Sequence, residues 1–159
     1  MIRDLLRREL ADVEYALRIK HEEIAKLDAR RARLIERLRL PIVYYSLTGN
    51  VRRFVEKTGR RAYQIPEIVA EPYILVTPTI GFGEIPEPVT EYLREYGGWL
   101  RAVAVSGNRN FGPLFGVAGE KIAREYGVPL ILRFELAGND EDVRKFNEEV
   151  SRIDEEVTR

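Results

Sequence analysis

The stretch IVYYSLTGNVRRFVEKTG, residues 42–59, decides the fold of the chain. It starts with apolar residues typical of a buried strand and, after a polar loop, continues with apolar residues at helical spacing. In that loop Ser46 and Thr48 offer hydroxyl groups, and Gly49 lets the backbone come close to a ligand. Asn50 can cap the helix that follows. Free N–H groups and the positive end of a helix favour a phosphate at such a corner.

The same loop contains no lysine, which narrows the kind of phosphate it suits. A GxxxxGKS or GxxxxGKT motif is absent, so hydrolysis of a magnesium-bound nucleotide is not expected. A GxGxxG motif is absent too, so a dinucleotide is not indicated. Hydroxyl groups without a lysine suit a monophosphate ester that stays bound. Taken alone, the loop is explained equally well as an ordinary helix cap with a glycine turn.

Downstream of Pro41, short apolar runs alternate with helical patterns. This alternation predicts a parallel sheet with helices on both faces. Five strands suit an α/β, flavodoxin-like, doubly wound sheet of order 2-1-3-4-5. Strands are predicted at 42–46, 61–65, 73–77, 102–106 and 129–136, and helices at 50–57, 86–96, 114–126 and 140–157.

Two further loops follow the third and fourth predicted strands, at the same edge of the sheet as the first. In TPTIGFGEIPEP, residues 77–88, Gly81 and Gly83 permit positive φ and close approach of a flat ligand, while Phe82 could shield a ring. A glycine-rich connector is the alternative interpretation of this loop. The third loop, SGNRNFGPLFG (106–116), has backbone and amide groups that could bind the polar edge of a heterocycle, with an aromatic side chain over one face. A merely structural connector has little need for that set of residues.

Residues 1–40 differ from the rest and are predicted to form a long amphipathic helix, separate from a second domain at 41–159. Residues 2–39 contain no glycine or proline, and apolar residues recur in a heptad pattern. We favour self-association or partner docking through this helix, with an antiparallel pair centred near Glu22. The alternatives are a helix that lies on its own domain and a fused segment. Of the ten heptad positions, Lys20 and Arg31 are charged and the other eight are apolar: Leu6, Leu10, Val13, Leu17, Ile24, Leu27, Leu34 and Leu38.

Composition excludes several classes of function. The 26 basic and 26 acidic residues balance, so no nucleic-acid partner is expected. The chain has no cysteine and one histidine, so no metal centre, thiol catalysis or serine triad is expected. No apolar run is long enough for a membrane span, and the charged first residues do not form a secretory signal. We therefore expect a cytoplasmic location.

Three segments together resemble the NrdI family of small flavodoxin-like proteins associated with ribonucleotide reductase. They are SLTGNVRRFVEKTG, EPYILVTPTIGFGEIPEPV, and AVSGNRNFG with the downstream GVPLILRFELAG. The likeness covers residues 41–151, and SGNRNFG followed by FEL-x-G is its most specific part. The N-terminal 40 residues depart from the family pattern, so no role for them follows from it.

The resemblance implies a bound FMN that carries the redox chemistry, with no catalytic side chain and no protein-bound metal. Arg109 in the third loop would favour an anionic reduced flavin, and Gly81 or Gly83 could reorient a peptide on reduction. Residues that match the family's phosphate loop and two ring loops are Ser46, Thr48, Gly49, Asn50, Val51, Thr77, Pro78, Thr79, Gly81, Phe82, Gly83, Ser106, Gly107, Asn108, Arg109, Phe111 and Gly112.

The family partners the small subunit of class Ib ribonucleotide reductase. The resemblance thus implies that the reduced flavin supplies electrons or a reduced-oxygen oxidant for assembly of that subunit's dimanganese–tyrosyl radical cofactor. A separate reductant would then reduce the flavin again. Such a protein is a redox partner rather than a metabolic enzyme. Two alternatives remain open: a general flavodoxin that carries electrons, and a non-catalytic module that acts through its N-terminal helix.

Overall fold

The structure, a computed structural model, describes all 159 residues. The chain divides into two compact units, Met1–Arg39 and Leu40–Arg159. The first unit is one continuous helix, α1 (Ile2–Leu38), in which no residue is buried. It ends because Arg39 has extended backbone angles and Pro41 cannot continue a helix. The predicted long N-terminal helix is confirmed.

The second unit is a five-stranded parallel sheet of order β2-β1-β3-β4-β5. This confirms the predicted flavodoxin-like α/β fold. The strands are β1 (Ile42–Tyr44), β2 (Ala62–Gln64), β3 (Tyr73–Pro78), β4 (Leu100–Gly107) and β5 (Leu130–Glu135). The helices are α2 (Asn50–Thr58), α3 (Glu87–Tyr96), α4 (Val117–Tyr126) and α5 (Asp140–Thr158), with 3-10 turns at Gly97–Trp99 and Arg109–Leu114.

Two predicted element boundaries next to the loops of interest differ from the structure by two or more residues. β1 ends at Tyr44, two residues earlier than predicted, because the chain turns so that the Ser46 hydroxyl accepts a hydrogen bond from Arg52 N–H. α4 begins at Val117 and not at residue 114. The preceding segment forms a 3-10 turn that Gly112 interrupts with positive φ.

A hydrophobic core lies on each face of the sheet. On one face α2 and α5 cover β1, β3 and β5, and Phe54 stacks on Phe134 with ring centroids 3.9 Å apart. On the other face α3 and α4 cover the sheet around Tyr73. Burial raises the pKa of Tyr73, so its hydroxyl stays protonated and donates to the Tyr96 carbonyl at 3.1 Å. Coverage of both faces leaves the carboxyl edge of the sheet as the place for a ligand.

Candidate functional site

The loops after β1, β3 and β4 meet at the carboxyl edge of the sheet and surround a cavity of about 220 Å³. They meet because parallel strands all end at the same edge. We call this space the central cavity. Its lining residues are Leu47, Thr48, Asn50, Val51, Pro78, Thr79, Ile80, Gly81, Ser106, Gly107, Asn108, Phe111, Leu114 and Leu136.

A second, more polar cavity of about 200 Å³ lies at the N-terminus of α2. We call it the polar cavity; it is lined by Ser46, Leu47, Thr48, Gly49, Arg52 and Gln64. Gly49 is the N-cap of α2 with a φ of 88° and has no side chain of its own to cap the first turn, in which the Ser46 hydroxyl accepts from Arg52 N–H at 3.2 Å. Asn50 is the first residue of the helix, as predicted, but the expectation that it caps the helix is wrong, because its amide donates to the Thr48 hydroxyl at 3.3 Å. The positive end of the helix and two hydroxyl groups suit an anion.

Two arginines flank the polar cavity, although the loop has no lysine. A Cβ added at Gly49 would lie 3.1 Å from the Arg53 guanidinium and 3.8 Å from that of Arg52. Arg53 is held by a 2.6 Å hydrogen bond to Asn50 Oδ1. The site is therefore cationic. Sequence reasoning overlooked this pair, although VRR follows the loop directly.

The second loop forms a tight hairpin whose tip points Phe82 into solvent. Ile80 and Glu84 exchange backbone hydrogen bonds of 3.0 and 2.8 Å, and Gly81 and Gly83 both have positive φ. Gly81 lines the central cavity, whereas Phe82 is 76% exposed and neither Phe82 nor Gly83 lines the cavity. That Phe82 shields a ring therefore stays a prediction.

The threonines at the end of β3 have different surroundings. Thr77 is fully buried, and its hydroxyl donates to the Pro78 carbonyl at 3.0 Å. The Thr79 backbone N–H donates to the Ser106 carbonyl at 2.8 Å, which ties the second loop to the third. The Thr79 hydroxyl is buried, lines the central cavity and has no hydrogen-bond partner. An unpaired buried hydroxyl is costly, so it marks a position where a ligand could supply a partner.

The third loop is fixed by long-range hydrogen bonds to Leu136. The Ser106 hydroxyl donates to the Leu136 carbonyl at 2.6 Å, and the Leu136 N–H donates to the Gly107 carbonyl at 3.0 Å. Leu136 is the one non-glycine residue with positive φ, at 51°, and it lines the central cavity. Leu136 belongs to the FEL-x-G segment of the family resemblance, but it was not predicted as a site residue. A branched residue with positive φ has no local sequence signal.

Arg109 faces away from the lining of the central cavity. Its Nε lies 3.3 Å from Glu135 Oε2, and its guanidinium sits 5.4 Å from the centroid of the Phe115 ring. An effect of Arg109 on a bound ring therefore stays a prediction. Gly112 also lies outside both cavities, in the 3-10 turn.

Most of the predicted site residues do come together. Twelve of the seventeen line one of the two cavities, and the exceptions are Thr77, Phe82, Gly83, Arg109 and Gly112. The cavity residues that sequence reasoning missed are mainly apolar: Leu47, Ile80, Leu114 and Leu136, with Arg52 and Gln64 at the polar end. No group of three or more His, Asp or Glu side chains is arranged to hold a metal ion. No helix combines the length and apolar character needed to cross a membrane.

The doubly wound sheet with a ligand-sized cavity at its carboxyl edge defines a flavodoxin-like protein. A family model described as "NrdI Flavodoxin like" matches residues 42–148. The chain is also 53% identical over 121 residues to Protein NrdI of Macrococcus caseolyticus (strain JCSC5402), a match covering 74% of this chain and 94% of that relative. The chain therefore belongs to the NrdI flavodoxin-like family. α1 lies outside the segment that the family model matches.

Solved structures support the fold independently. A short-chain flavodoxin associated with a non-canonical PDU bacterial microcompartment matches with a TM-score of 0.58 and 16% identity, covering 70% of this chain and 93% of its own. Two-electron reduced Megasphaera elsdenii flavodoxin matches with a TM-score of 0.53 and 16% identity, covering 71% and 98%. At this identity the likeness concerns the fold alone. Fold and family together imply a flavin cofactor.

Proposed function

We propose that the chain binds FMN in the two cavities and serves as a redox partner of ribonucleotide reductase. The observation that carries the FMN proposal is the pairing of a cationic helix N-terminus with an adjacent, largely apolar cavity that contains an unpartnered hydroxyl. An anion and a flat, partly polar ring system on one molecule suit these two neighbouring environments.

The phosphate is proposed to bind in the polar cavity. Ser46 and Thr48 would donate from their hydroxyl groups, and the backbone of the first turn of α2 would supply N–H groups. Arg52 lines the same cavity and adds positive charge. None of these groups can donate a proton to a leaving group readily, which suits a phosphate that is held and not transferred.

The ring is proposed to bind in the central cavity, against the backbone of residues 79–81 and 106–108. A bound flavin supplies the redox chemistry, and this chain's residues bind, orient and shield it. Leu47, Phe111 and Leu136 line the cavity yet are 64%, 48% and 47% exposed. They would cover part of the ring while leaving an opening for a small molecule or a partner.

The specific role proposed is activation of the small subunit of a class Ib ribonucleotide reductase in the cytoplasm. There the chain would supply electrons, or an oxidant made by reducing O₂, for assembly of the dimanganese–tyrosyl radical cofactor. Membership of the NrdI family supports the link to ribonucleotide reductase. A general electron carrier is the second candidate, because the solved structures of similar fold are flavodoxins.

Purification tests the cofactor directly. We expect a yellow protein, or a colourless one that takes up FMN to one molecule per chain, measured by visible absorbance and by titration. Riboflavin, which lacks the phosphate, is the matched control and should bind far more weakly. A protein that binds neither compound would contradict the proposal.

Reconstitution separates the two candidate roles. A class Ib small subunit loaded with Mn(II) should form its tyrosyl radical, detected by electron paramagnetic resonance, only when the reduced chain and O₂ are both present. An unrelated flavodoxin at the same concentration is the control. Equal radical yields with the control would favour the general carrier and remove the specific role while leaving FMN binding intact.

Thr79→Val is expected to weaken FMN binding by about five- to tenfold, because it removes the hydroxyl that a ligand would pair. The FMN-free protein should be as stable as the parent or slightly more stable, since the lost hydroxyl has no partner there. Thr77→Val is the matched control: its hydroxyl is already paired and lies outside the cavities, so stability should fall by about 1 kcal/mol with little change in affinity. Unchanged FMN affinity in Thr79→Val would show that the ring lies elsewhere.

A further inference from the structure

The heptad face of α1 is an extended and exposed apolar surface. Its eight apolar seam positions are between 49% and 64% exposed, and no residue of the helix is buried. An apolar stripe from Leu6 to Leu38 that is interrupted only at Lys20 and Arg31 is far more than scattered exposed leucines. The helix has no glycine or proline that would bend it away from a straight partner.

We propose that this face binds a second copy of the same helix in antiparallel orientation, with Leu10 facing Leu27 of the partner copy. In this register Val13 also faces Ile24 of the partner copy. Because the two copies are related by symmetry, the Leu10–Leu27 pair and the Val13–Ile24 pair each occur twice, once on either side of the centre of the helix pair. The central layers pair Leu17 with Lys20. The Lys20 ammonium already lies 3.2 Å from Glu23 of its own helix, so its carbon chain can cover the leucine while the charge stays outside.

Charges beside the seam select this register. In an antiparallel pair of helices, a residue beside the seam faces the residue that holds the same heptad position in the partner copy. Here Glu9 faces Arg30, and Arg7 faces Asp28. Each contact occurs twice. Glu9, Arg30 and Asp28 form no salt bridge within the helix, so these charges are available to a partner.

Other arrangements bring like charges together. A parallel pair in register places Glu9 beside Glu14 and Glu23 beside Asp28. The antiparallel register centred near Glu22 places Glu14 beside Asp28 and the two copies of Glu23 beside each other. The proposed register differs from the one centred near Glu22 by a shift of one helix by one heptad, and it has no such conflict. Charge complementarity therefore favours the proposed register over the parallel pair and over the register centred near Glu22.

The area fits a dimer of moderate stability. Residues 3–34 span about 48 Å at about 1.5 Å per residue, and each helix is about 10–12 Å wide. The contact therefore covers roughly 500 Å² on each copy, or about 1,000 Å² in total, near the lower limit for a specific interface. We expect a monomer–dimer equilibrium in the micromolar range.

Sedimentation equilibrium of the full chain tests the association. The mass should rise from 18.4 kDa towards twice that value as the concentration increases from about 1 to about 200 µM. Leu17→Glu should keep the chain monomeric, whereas Ala25→Glu, which adds the same residue on the outer face of α1, should dimerise like the parent. Circular dichroism and FMN uptake check that both variants fold. A parent chain that stays monomeric at every concentration would overturn the proposal.

A charge reversal tests orientation and register. Glu9→Arg should weaken the dimer about tenfold, because it places arginine against Arg30 at two symmetric positions. Adding Arg30→Glu should restore it. A parallel dimer would instead be strengthened by Glu9→Arg, and the register centred near Glu22 would not be rescued by Arg30→Glu, since Glu9 would face Arg37 there. Either of these outcomes would overturn the proposed pairing.

Disulfide trapping gives a second readout, because the chain has no cysteine of its own. Leu10→Cys and Leu27→Cys proteins, mixed and incubated with oxidised glutathione, should form the mixed disulfide-linked dimer, with two thiols oxidised as glutathione is reduced. Each variant alone should remain uncrosslinked. Efficient crosslinking of Leu10→Cys to itself would show a parallel pair and contradict the antiparallel arrangement.

Discussion

Gly49→Val should lower the affinity for FMN by about 10- to 100-fold, a loss of about 1.4–2.8 kcal/mol of binding free energy. Gly49 has a φ of 88°, a conformation that a β-branched residue adopts only with strain. An added side chain would also meet the Arg53 guanidinium, which lies 3.1 Å from the Cβ position. Both effects distort the loop proposed to hold the phosphate. Isothermal titration with FMN measures the loss.

Gly127→Val provides the matched control for this substitution. Gly127 ends α4 with a φ of 65°, and a Cβ there would meet no atom within 4 Å. The Gly127→Val substitution therefore introduces similar backbone strain without contacting either cavity. It should lower the free energy of unfolding and leave the affinity for FMN unchanged. Equal FMN affinities for Gly49→Val and Gly127→Val would show that the phosphate does not bind at the N-terminus of α2.

Asp154→Ala should destabilise the FMN-free protein by about 3 kcal/mol, measured by urea unfolding. Asp154 joins the C-terminal helix to two distant segments: its Oδ1 accepts from Leu40 N–H at 2.8 Å, and its Oδ2 lies 3.0 Å from the Arg60 guanidinium. The Arg60 and Asp154 side chains are only 4% and 14% exposed. Removing the carboxylate leaves a buried guanidinium without its countercharge, which costs more than losing one exposed ion pair.

Arg152→Ala on the same helix serves as the comparison. Arg152 pairs with Glu149 at 2.8 Å, but the two side chains are 70% and 41% exposed. Solvent screens that pair, so its loss should change the free energy of unfolding by less than about 1 kcal/mol. Similar unfolding free energies for the two variants would mean that the Asp154 network contributes little to stability.

The sequence predicted the fold well because its signals are local. The change from apolar runs to helical spacing placed all five strands and the four helices of the second unit, and the absence of glycine and proline placed α1. The observed boundaries of strands and helices differ from the predicted ones where a loop forms hydrogen bonds of its own. The early end of β1, where Ser46 accepts from Arg52, is one example.

The site was predictable as a set of loops and only partly as a set of contacts. The order of a parallel sheet brings the loops after β1, β3 and β4 to one edge, so residues such as Thr48 and Gly107 could be assigned to a common site. Which side chains enter the cavity depends on how each loop turns. Arg109 turns towards Glu135, and Phe82 lies at an exposed hairpin tip.

The sequence by itself determined the class of fold, the edge of the sheet at which the candidate site lies and the heptad face of α1, because spacing and residue type act over a few neighbouring positions. Tertiary structure alone decided that Leu136 lines the central cavity and that Thr79 has an unpartnered hydroxyl. It also decided that Arg60 pairs with Asp154. The bond from Ser106 to Leu136 and the pair between Arg60 and Asp154 join residues 30 and 94 positions apart. No local pattern encodes such a contact, since it exists only after the sheet has brought its segments together.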